Sequence, residues 1–441
     1  MANTRITRSI SSGSTTNKFT LSFWIKKSTI SGSSDMWLFE KYNNGSARTW
    51  IRFNTDTGSP RLEVSEYTGT YVFRKILNRV FRDVGAYYHI HIEFNSTLGT
   101  EADRLKIYIN GVQETSFATT NHPALNSTSI IANAGNQHFG YSENGNGNYF
   151  SGIMSHINFT DGYAYAPTSF GEYDANGVWK IKTSPSVTYG TNGFFILKNG
   201  NSVTDQSGNS NNFTVGGGTL TNTEDCPSNI FATLNPLVNN AGEMMRLTNG
   251  NTSCQSNATE GNSWKLAVST LGMTSGKYYW EIKFDNVHNC YNNGFMGSNV
   301  LTLNAQNPMN QTGYTGFYNQ DGGEFRKDNT DTTVDYGLYN TGDIMGIACD
   351  MDNYTITFYK NGVSHVSSQS ISTTGRDVVF PCSVFYNTNN TGIPQASYNF
   401  GNGYFGTTAV SSAGTNASGN GIFEYDVPTG YTALSTKGLN L

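Results

Sequence analysis

Three ligand-type side chains stand at alternate positions in Tyr88-His89-Ile90-His91-Ile92-Glu93-Phe94. On an extended strand, residues i, i+2 and i+4 share one face at about 6 to 7 Å per step. Two imidazoles and a carboxylate so placed would suit a divalent metal. The competing reading, and the one we adopt, is a polar outer face opposite inward Tyr88, Ile90, Ile92 and Phe94. Two acidic turns, Asp350/Asp352/Asn353 and Asp205/Ser207/Asn209, carry the oxygen donors that calcium prefers. Asp and Asn capping their own backbone explain both turns without an ion. The expectation is no cofactor and no metal, with calcium at these turns as the alternative.

Reactive groups are sparse. Glycoside hydrolysis needs two carboxyl groups flanking one bond at fixed separation, which a strand supplies as Glu-x-Asp-x-x-Glu. Glu172-Tyr173-Asp174 is followed by Gly177 where the second Glu should stand, and Glu424-Tyr425-Asp426 fails in the same way at Thr429. Gly401-Asn402-Gly403-Tyr404-Phe405-Gly406 has the letters of a dinucleotide fingerprint. It lacks the helix that would receive a pyrophosphate. A chain without catalytic residues is expected, and not an enzyme.

The elements around these residues read as strands. Phe19, Leu21, Phe23 and Ile25 alternate with Thr20, Ser22, Trp24 and Lys26, and Leu105, Ile107 and Ile109 repeat the pattern before Asn110-Gly111. Gly342–Val363 reads as one strand, a short acidic turn, a second strand that alternates Ile356 and Phe358 with Thr357 and Tyr359, and then a second Asn-Gly hairpin turn, Asn361-Gly362. Tyr278, Trp280, Ile282 and Phe284 form another inward set. The expected fold class is all-β, with two antiparallel sandwiches of jelly-roll type in tandem and very little helix.

Composition agrees with short strands and tight turns. Aromatic residues make up 13% of the 441 residues, with 26 Tyr and 26 Phe, while only 13% are charged and the net charge is -5. No basic face is available for phosphate, so nucleic acid is not an expected partner. No apolar run approaches the ~20 residues needed to cross a bilayer, and the first residues lack the apolar centre of a secretory signal. Cys226, Cys254, Cys290, Cys349 and Cys382 contain no C-x-x-C pair, which predicts buried free thiols. Asn-x-Ser/Thr triplets, as at Asn95, Asn126, Asn158 and Asn257, are expected by chance in so Asn- and Thr-rich a chain.

Two resemblances cover most of the chain. The strands at 19–27 and 104–112, with Tyr149–Gly162, Pro167–Glu172, Tyr189–Phe195, Asp205–Asn209 and Asn229–Pro236, resemble the laminin-G-like, concanavalin A-like domain of marine bacteriophage virion proteins. Gly276–Phe284, Tyr314–Phe317, the Asn361-Gly362 hairpin, Val379–Val384 and Ala396–Gly401 are similar to a SPRY domain. The expected boundaries are a first domain over 1–236, a linker over 237–261, a SPRY-like domain over 262–410 and a tail over 411–441 packed on it.

These resemblances imply a non-enzymatic protein on the surface of a virion, the head or knob of a tail fibre or appendage, adhering to host glycan. A capsid-decorating protein and a polysaccharide-depolymerising enzyme on the same fold are the alternatives. The implied partners are other virion proteins, further copies of the chain, and a host surface polysaccharide or receptor, without membrane insertion. Aromatic rings that stack on sugars while neighbouring amides bond the hydroxyls are the binding candidates. They are Tyr42, Trp50, Tyr67 and Tyr71 in the first domain, and Tyr291, Tyr318 and Tyr336 in the second.

Overall fold

The computed structural model describes residues 3–13, 15–29, 35–55, 60–145, 147–198, 203–238, 245–256, 263–287, 291–299, 301, 307–332, 334–387 and 393–440. Cys290 and Asn257 lie outside the described residues. The chain forms two compact units, Met1–Asn222 and Thr223–Leu441. Both are all-β, and short 3-10 turns are their only helical elements among the described residues. None of these is long and apolar enough to cross a membrane.

In the first unit, eight strands form one sheet in the order Phe117–Asn121, Tyr71–Val80, Arg61–Thr68, Ala47–Asn54, Met36–Asn44, Gly135–Phe139, Arg5–Ile10 and Thr214–Gly217. Six form the other, with Lys18–Lys27 between Gly152–Asp161 and Tyr88–Asn95. The alternation read from the sequence sets the core. Leu21, Phe23, Ile25, Ile90, Ile92, Ile107 and Ile109 from the smaller sheet meet Leu38, Ile51, Phe53, Val64, Phe73 and Leu77 from the larger. Each such side chain contributes about 1.5–3 kcal/mol when fully buried.

The opposite face of the smaller sheet departs from expectation. Thr20, Ser22, Trp24, His89 and His91 are at most 5% exposed, because a second layer covers them. The hairpin of Gly171–Tyr173 and Trp179–Ile181 brings Trp179 against His89, near parallel with 5.9 Å between ring centroids, while Trp24 stacks on the same imidazole at 4.7 Å. Phe170 covers His91 at 5.6 Å. The Asn110-Gly111 turn fits this cover twice over. Both residues have positive φ, 51° and 79°, and a Cβ on Gly111 would press into the Trp179 ring.

Burial holds both histidines neutral: the His91 value falls to about 3 and that of His89 lies well below the ordinary one. A lowered folded value means stability that is present above pH 6.5 and lost as pH falls toward 3. Trp179→Ala should cost about 3–5 kcal/mol and bring both imidazoles back toward 6.5. An NMR titration of the histidine ring protons checks this; rings that stay neutral to pH 4 would show that Trp179 is not what excludes water.

In the second unit the strand Lys277–Asn286 is central, with Ile344–Asp350 on one side and Gln395–Asn399 on the other. Tyr278, Trp280, Ile282 and Phe284 face the main core. Asn361 and Gly362, with φ of 49° and 81°, close the next hairpin as expected from their type. Val379–Asn387 joins Ser263–Val268 to Tyr291–Gly297 in the second sheet.

The boundaries differ from those read in the sequence. Residues 230–236 belong to the second unit: Thr270 N–H donates to the Thr233 carbonyl at 2.7 Å and Asn235 N–H to the Val268 carbonyl at 2.7 Å. The described part of 237–261 is not a linker. Arg246–Thr248 is an edge strand, and Ser253–Gln255 pairs with it on one side and with Gln395–Asn399 on the other. Composition is polar in both a linker and an edge strand, so it does not separate them.

Candidate functional site

Register brings the four candidates of the first unit onto one sheet face. Tyr42 pairs with Arg48, Arg48 with Tyr67 and Tyr67 with Tyr71, giving a row across four adjacent strands. The next row holds Glu40, Trp50, Ser65 and Arg74, and the one after it Trp37, Arg52 and Glu63. All point away from the core because their neighbours Phe39, Ile51, Val64 and Phe73 point into it.

Aromatic and guanidinium groups interleave on this face. Arg48 lies 4.5 Å from the centroid of the Trp50 ring, Arg74 5.0 Å from Tyr71 and Arg52 5.4 Å from Trp37. Tyr67 and Tyr71 meet edge to face at 5.4 Å. Tyr71 is 39% exposed, and Tyr42 and Tyr67 are half-buried. Trp50 is corrected as a direct contact: it is 3% exposed under Arg48 and Tyr71 and serves as their bed. Among the described residues, the indole N–H groups of Trp37 and Trp50 and Nε of Arg48 are buried without an acceptor.

Two carboxylates fix the arginines. Glu63, fully buried, accepts from Arg52 Nε (2.8 Å) and Asn54 Nδ2 (2.7 Å) on one oxygen, and from Arg74 Nε (2.9 Å) and Ser65 Oγ (2.9 Å) on the other. Burial works upward on this carboxyl, but Arg52, Asn54 and Arg74 outweigh it and hold it below the ordinary range. Glu40, also fully buried, is pushed up to about 7 by burial, against the backbone N–H groups of Glu143 and Asn144 and the charge of Arg48. Arg48, Arg52 and Arg74 escaped the sequence reading. The signal was there in Arg48, Trp50 and Arg52 at i, i+2 and i+4.

The candidates of the second unit do not form such a face. Tyr291 is fully buried between Phe284 (5.2 Å) and Phe385 (4.1 Å), which corrects its reading as a ring offered to a sugar. Tyr318 is half-buried on a strand beside Arg326, its hydroxyl donating to Gln320 at 2.6 Å. Tyr336 is half-buried and packs against the main core.

The metal candidates are committed elsewhere. His89 Nδ1 accepts from Trp179 Nε1 at 3.0 Å and its Nε2–H donates to Ser22 Oγ at 2.7 Å, so neither nitrogen has a lone pair to give. His91 Nε2 donates to the Tyr165 carbonyl at 2.9 Å, its Nδ1 is buried without a partner among the described residues, and Glu93 accepts from the Tyr108 hydroxyl at 3.3 Å. The polar outer face assigned to this trio is therefore an internal layer where the two histidines lie. Asp350 accepts from the backbone of Asp352 (3.0 Å) and Asn353 (2.9 Å) and pairs with Lys277 at 2.8 Å. Asp352 caps Gly276 at 2.7 Å. Asp205 receives Phe195 N, Ser207 N, Ser207 Oγ and Asn211 N, all within 2.9 Å. Among the described residues no three His, Cys, Asp or Glu side chains are placed to hold a metal ion.

Asp174 caps Asn176 and Val178 in the hairpin that carries Trp179, each at 2.9 Å. The glycine-rich 401–406 leads into a small hairpin of Tyr404–Phe405 and Thr408–Ala409, with Gly401 and Gly403 N–H bonded to Asn399. Cys254, Cys349 and Cys382 are buried free thiols, raised by burial, and Cys226 is a half-buried one.

Residues 3–164 match the concanavalin A-like lectin/glucanases superfamily, and residues 277–395 match the SPRY domain. The chain thus carries an N-terminal concanavalin A-like domain and a C-terminal SPRY domain. Such domains fit a role in binding carbohydrate or protein. Among solved structures, the chain is similar to the SPRY domain of human HERC1, with 18% identity over 37% of this chain and 96% of that one and a TM-score of 0.30. It is also similar to the heptameric SAP-like pentraxin from Limulus polyphemus, with 15% identity over 38% and 74% and a TM-score of 0.27. The TRIM65 PSpry domain gives 12% identity over 38% and 88% and a TM-score of 0.29. No curated protein matches the chain.

Proposed function

We propose that this chain is a non-enzymatic adhesion protein on the outside of a bacteriophage particle, the head or knob of a tail appendage, which holds host surface glycan on the aromatic face of its first unit. The row of Tyr42, Arg48, Tyr67 and Tyr71 carries this reading. Tyr67 and Tyr71 stand on adjacent strands and Tyr42 two strands from Tyr67, so rings at both ends of the row suit separate sugars of an extended chain, and the interleaved guanidinium groups suit their hydroxyls. The assignment to a phage particle rests on the resemblance of 1–236 to phage virion proteins. Further copies of the chain and other virion proteins are its expected partners, and no cofactor is required for holding a glycan.

Incubation with host envelope polysaccharide should retain the sugar without producing new reducing ends. Tyr67→Ala with Tyr71→Ala should weaken retention about tenfold, or about 1.4 kcal/mol. New reducing ends would replace this reading with a depolymerase. Electron microscopy of particles labelled on this chain tests its placement, and label absent from the particle surface would overturn it.

A further inference from the structure

Arg48 stands in the aromatic row itself, paired across the strands with Tyr42 on one side and Tyr67 on the other. Its guanidinium lies 4.5 Å from the centroid of the Trp50 ring and 5.9 Å from that of Trp37, and its side chain is 20% exposed. The neighbouring arginines are already engaged: Arg52 and Arg74 give their Nε protons to Glu63, and Arg52 also pairs with Asp35. Arg48 differs. Among the described residues none of its N–H groups donates a hydrogen bond, and its carboxylate neighbour, Glu40, stands 3.8 Å away, beyond hydrogen-bond reach.

Glu40 is occupied from elsewhere. It accepts from the Glu143 N–H at 2.6 Å, and from the Asn144 N–H and the Ser142 hydroxyl at 3.4 Å. Burial pushes its value up to about 7, so at neutral pH it offsets only part of the Arg48 charge. The remaining charged groups of these strands turn the other way: Lys41 pairs across with Thr49, Thr49 with Glu66, and Lys75 with Val64. On that inner side the ammonium groups are taken by the carbonyls of Ala134 at 3.0 Å and Leu105 at 2.5 Å, and Glu66 by Ser129 and Thr49. The row thus keeps one cation with unspent donors. A guanidinium, unlike an ammonium, offers a planar fork that takes a carboxylate or sulfate in two parallel bonds.

We propose that the aromatic row selects an acidic glycan, with one anionic group of the sugar chain, carboxylate or sulfate, paired to Arg48 between the tyrosines. This rests on the row as the glycan site and adds the chemical class it takes. Isothermal titration of the full chain compares three probes of equal length: a galacturonate hexasaccharide, a sulfated galactan hexasaccharide and a neutral galactan hexasaccharide. One acidic form should bind at least tenfold more tightly than the neutral one, and which of the two does so names the anionic group. Raising sodium chloride from 50 to 500 mM should weaken the acidic form several-fold more than the neutral one. Arg48→Met, whose stem keeps the contact with Trp50, should remove the tenfold preference and leave neutral binding within twofold, while Arg48→Lys should keep part of the preference. Hydrogen exchange over 47–80 checks that both variants keep the fold. Equal affinity for all three probes, or a preference that survives Arg48→Met, would overturn the acid selection and leave glycan holding in place. Binding of none of the three would overturn both.

Discussion

Glu281→Ala should destabilise the second unit by about 3–5 kcal/mol at pH 5, since each buried donor left without an acceptor costs about 1–3 kcal/mol. The carboxylate is fully buried and receives four donors. They are Glu424 N–H and Tyr425 N–H at 2.9 Å, the Asn399 amide at 3.2 Å and the Tyr279 hydroxyl at 3.3 Å. Three of these four groups come from parts of the chain far from Glu281, so one side chain ties 399 and 424–425 to the central strand. Burial nevertheless pushes its value up to about 7, with the donors pulling back. A folded value raised above the unfolded one gives stability that is full below about pH 4.5 and lost as pH rises through about 7. The loss is about 3 kcal/mol at 1.36 kcal/mol per unit. The alanine variant lacks this titration, so its penalty should be larger at pH 5 than at pH 8. Hydrogen exchange over 277–286 and 423–427, read at both pH values, checks this. Equal penalties at the two pH values would show that Glu281 does not titrate between them.

The second large effect lies in the other unit and has the opposite pH dependence. Glu63→Ala leaves Arg74, 25% exposed, without the carboxylate it bonds, and Arg52, 16% exposed, with Asp35 as its remaining carboxylate partner. Removing one partner of a buried pair costs about 3–5 kcal/mol. Here the folded value is held below the ordinary one, so the stability is present above about pH 4.5 and fades as pH falls below it. The gap between wild type and variant, followed by exchange over 47–80, should be full at pH 7 and shrink toward pH 3. Binding at the aromatic face should weaken too, because Arg74 and Arg52 lose the anchor that sets them against Tyr71 and Trp37.

What could be read in the sequence was the part governed by local rules. Alternation assigned the inward faces of 19–25, 105–109 and 278–284, since a strand has a period of two. The two Asn-Gly turns followed from residue type, because few other pairs accept two positive φ values in succession. The aromatic row was half legible: its tyrosines were chosen singly, and register, which no single strand encodes, put them side by side.

The rest was hidden because it depends on what covers a second face. Ser22 and His89 look like outward polar residues until Trp179, ninety residues after His89, is laid over them. Glu281 alternates with Trp280 and Ile282 as a solvent residue would. The donors that make its burial tolerable arrive from 399 and 424–425, in segments without periodicity. The strands at 246–248 and 253–255 are too short to show a period at all.

The second unit is stitched together at its two extremes. Ala232 N–H bonds to the Leu434 carbonyl at 3.0 Å, Thr436 N–H to Ile230 at 2.8 Å, and Thr432 and Ala433 lie parallel to Tyr278 and Tyr279. During synthesis, then, the first unit has all its strands long before the second can close, since the latter waits for residue 436 to leave the ribosome. Until 432–436 have emerged, Tyr278 and Tyr279 lack their parallel neighbour and Ile230 and Ala232 their backbone partners, however well the earlier half has folded.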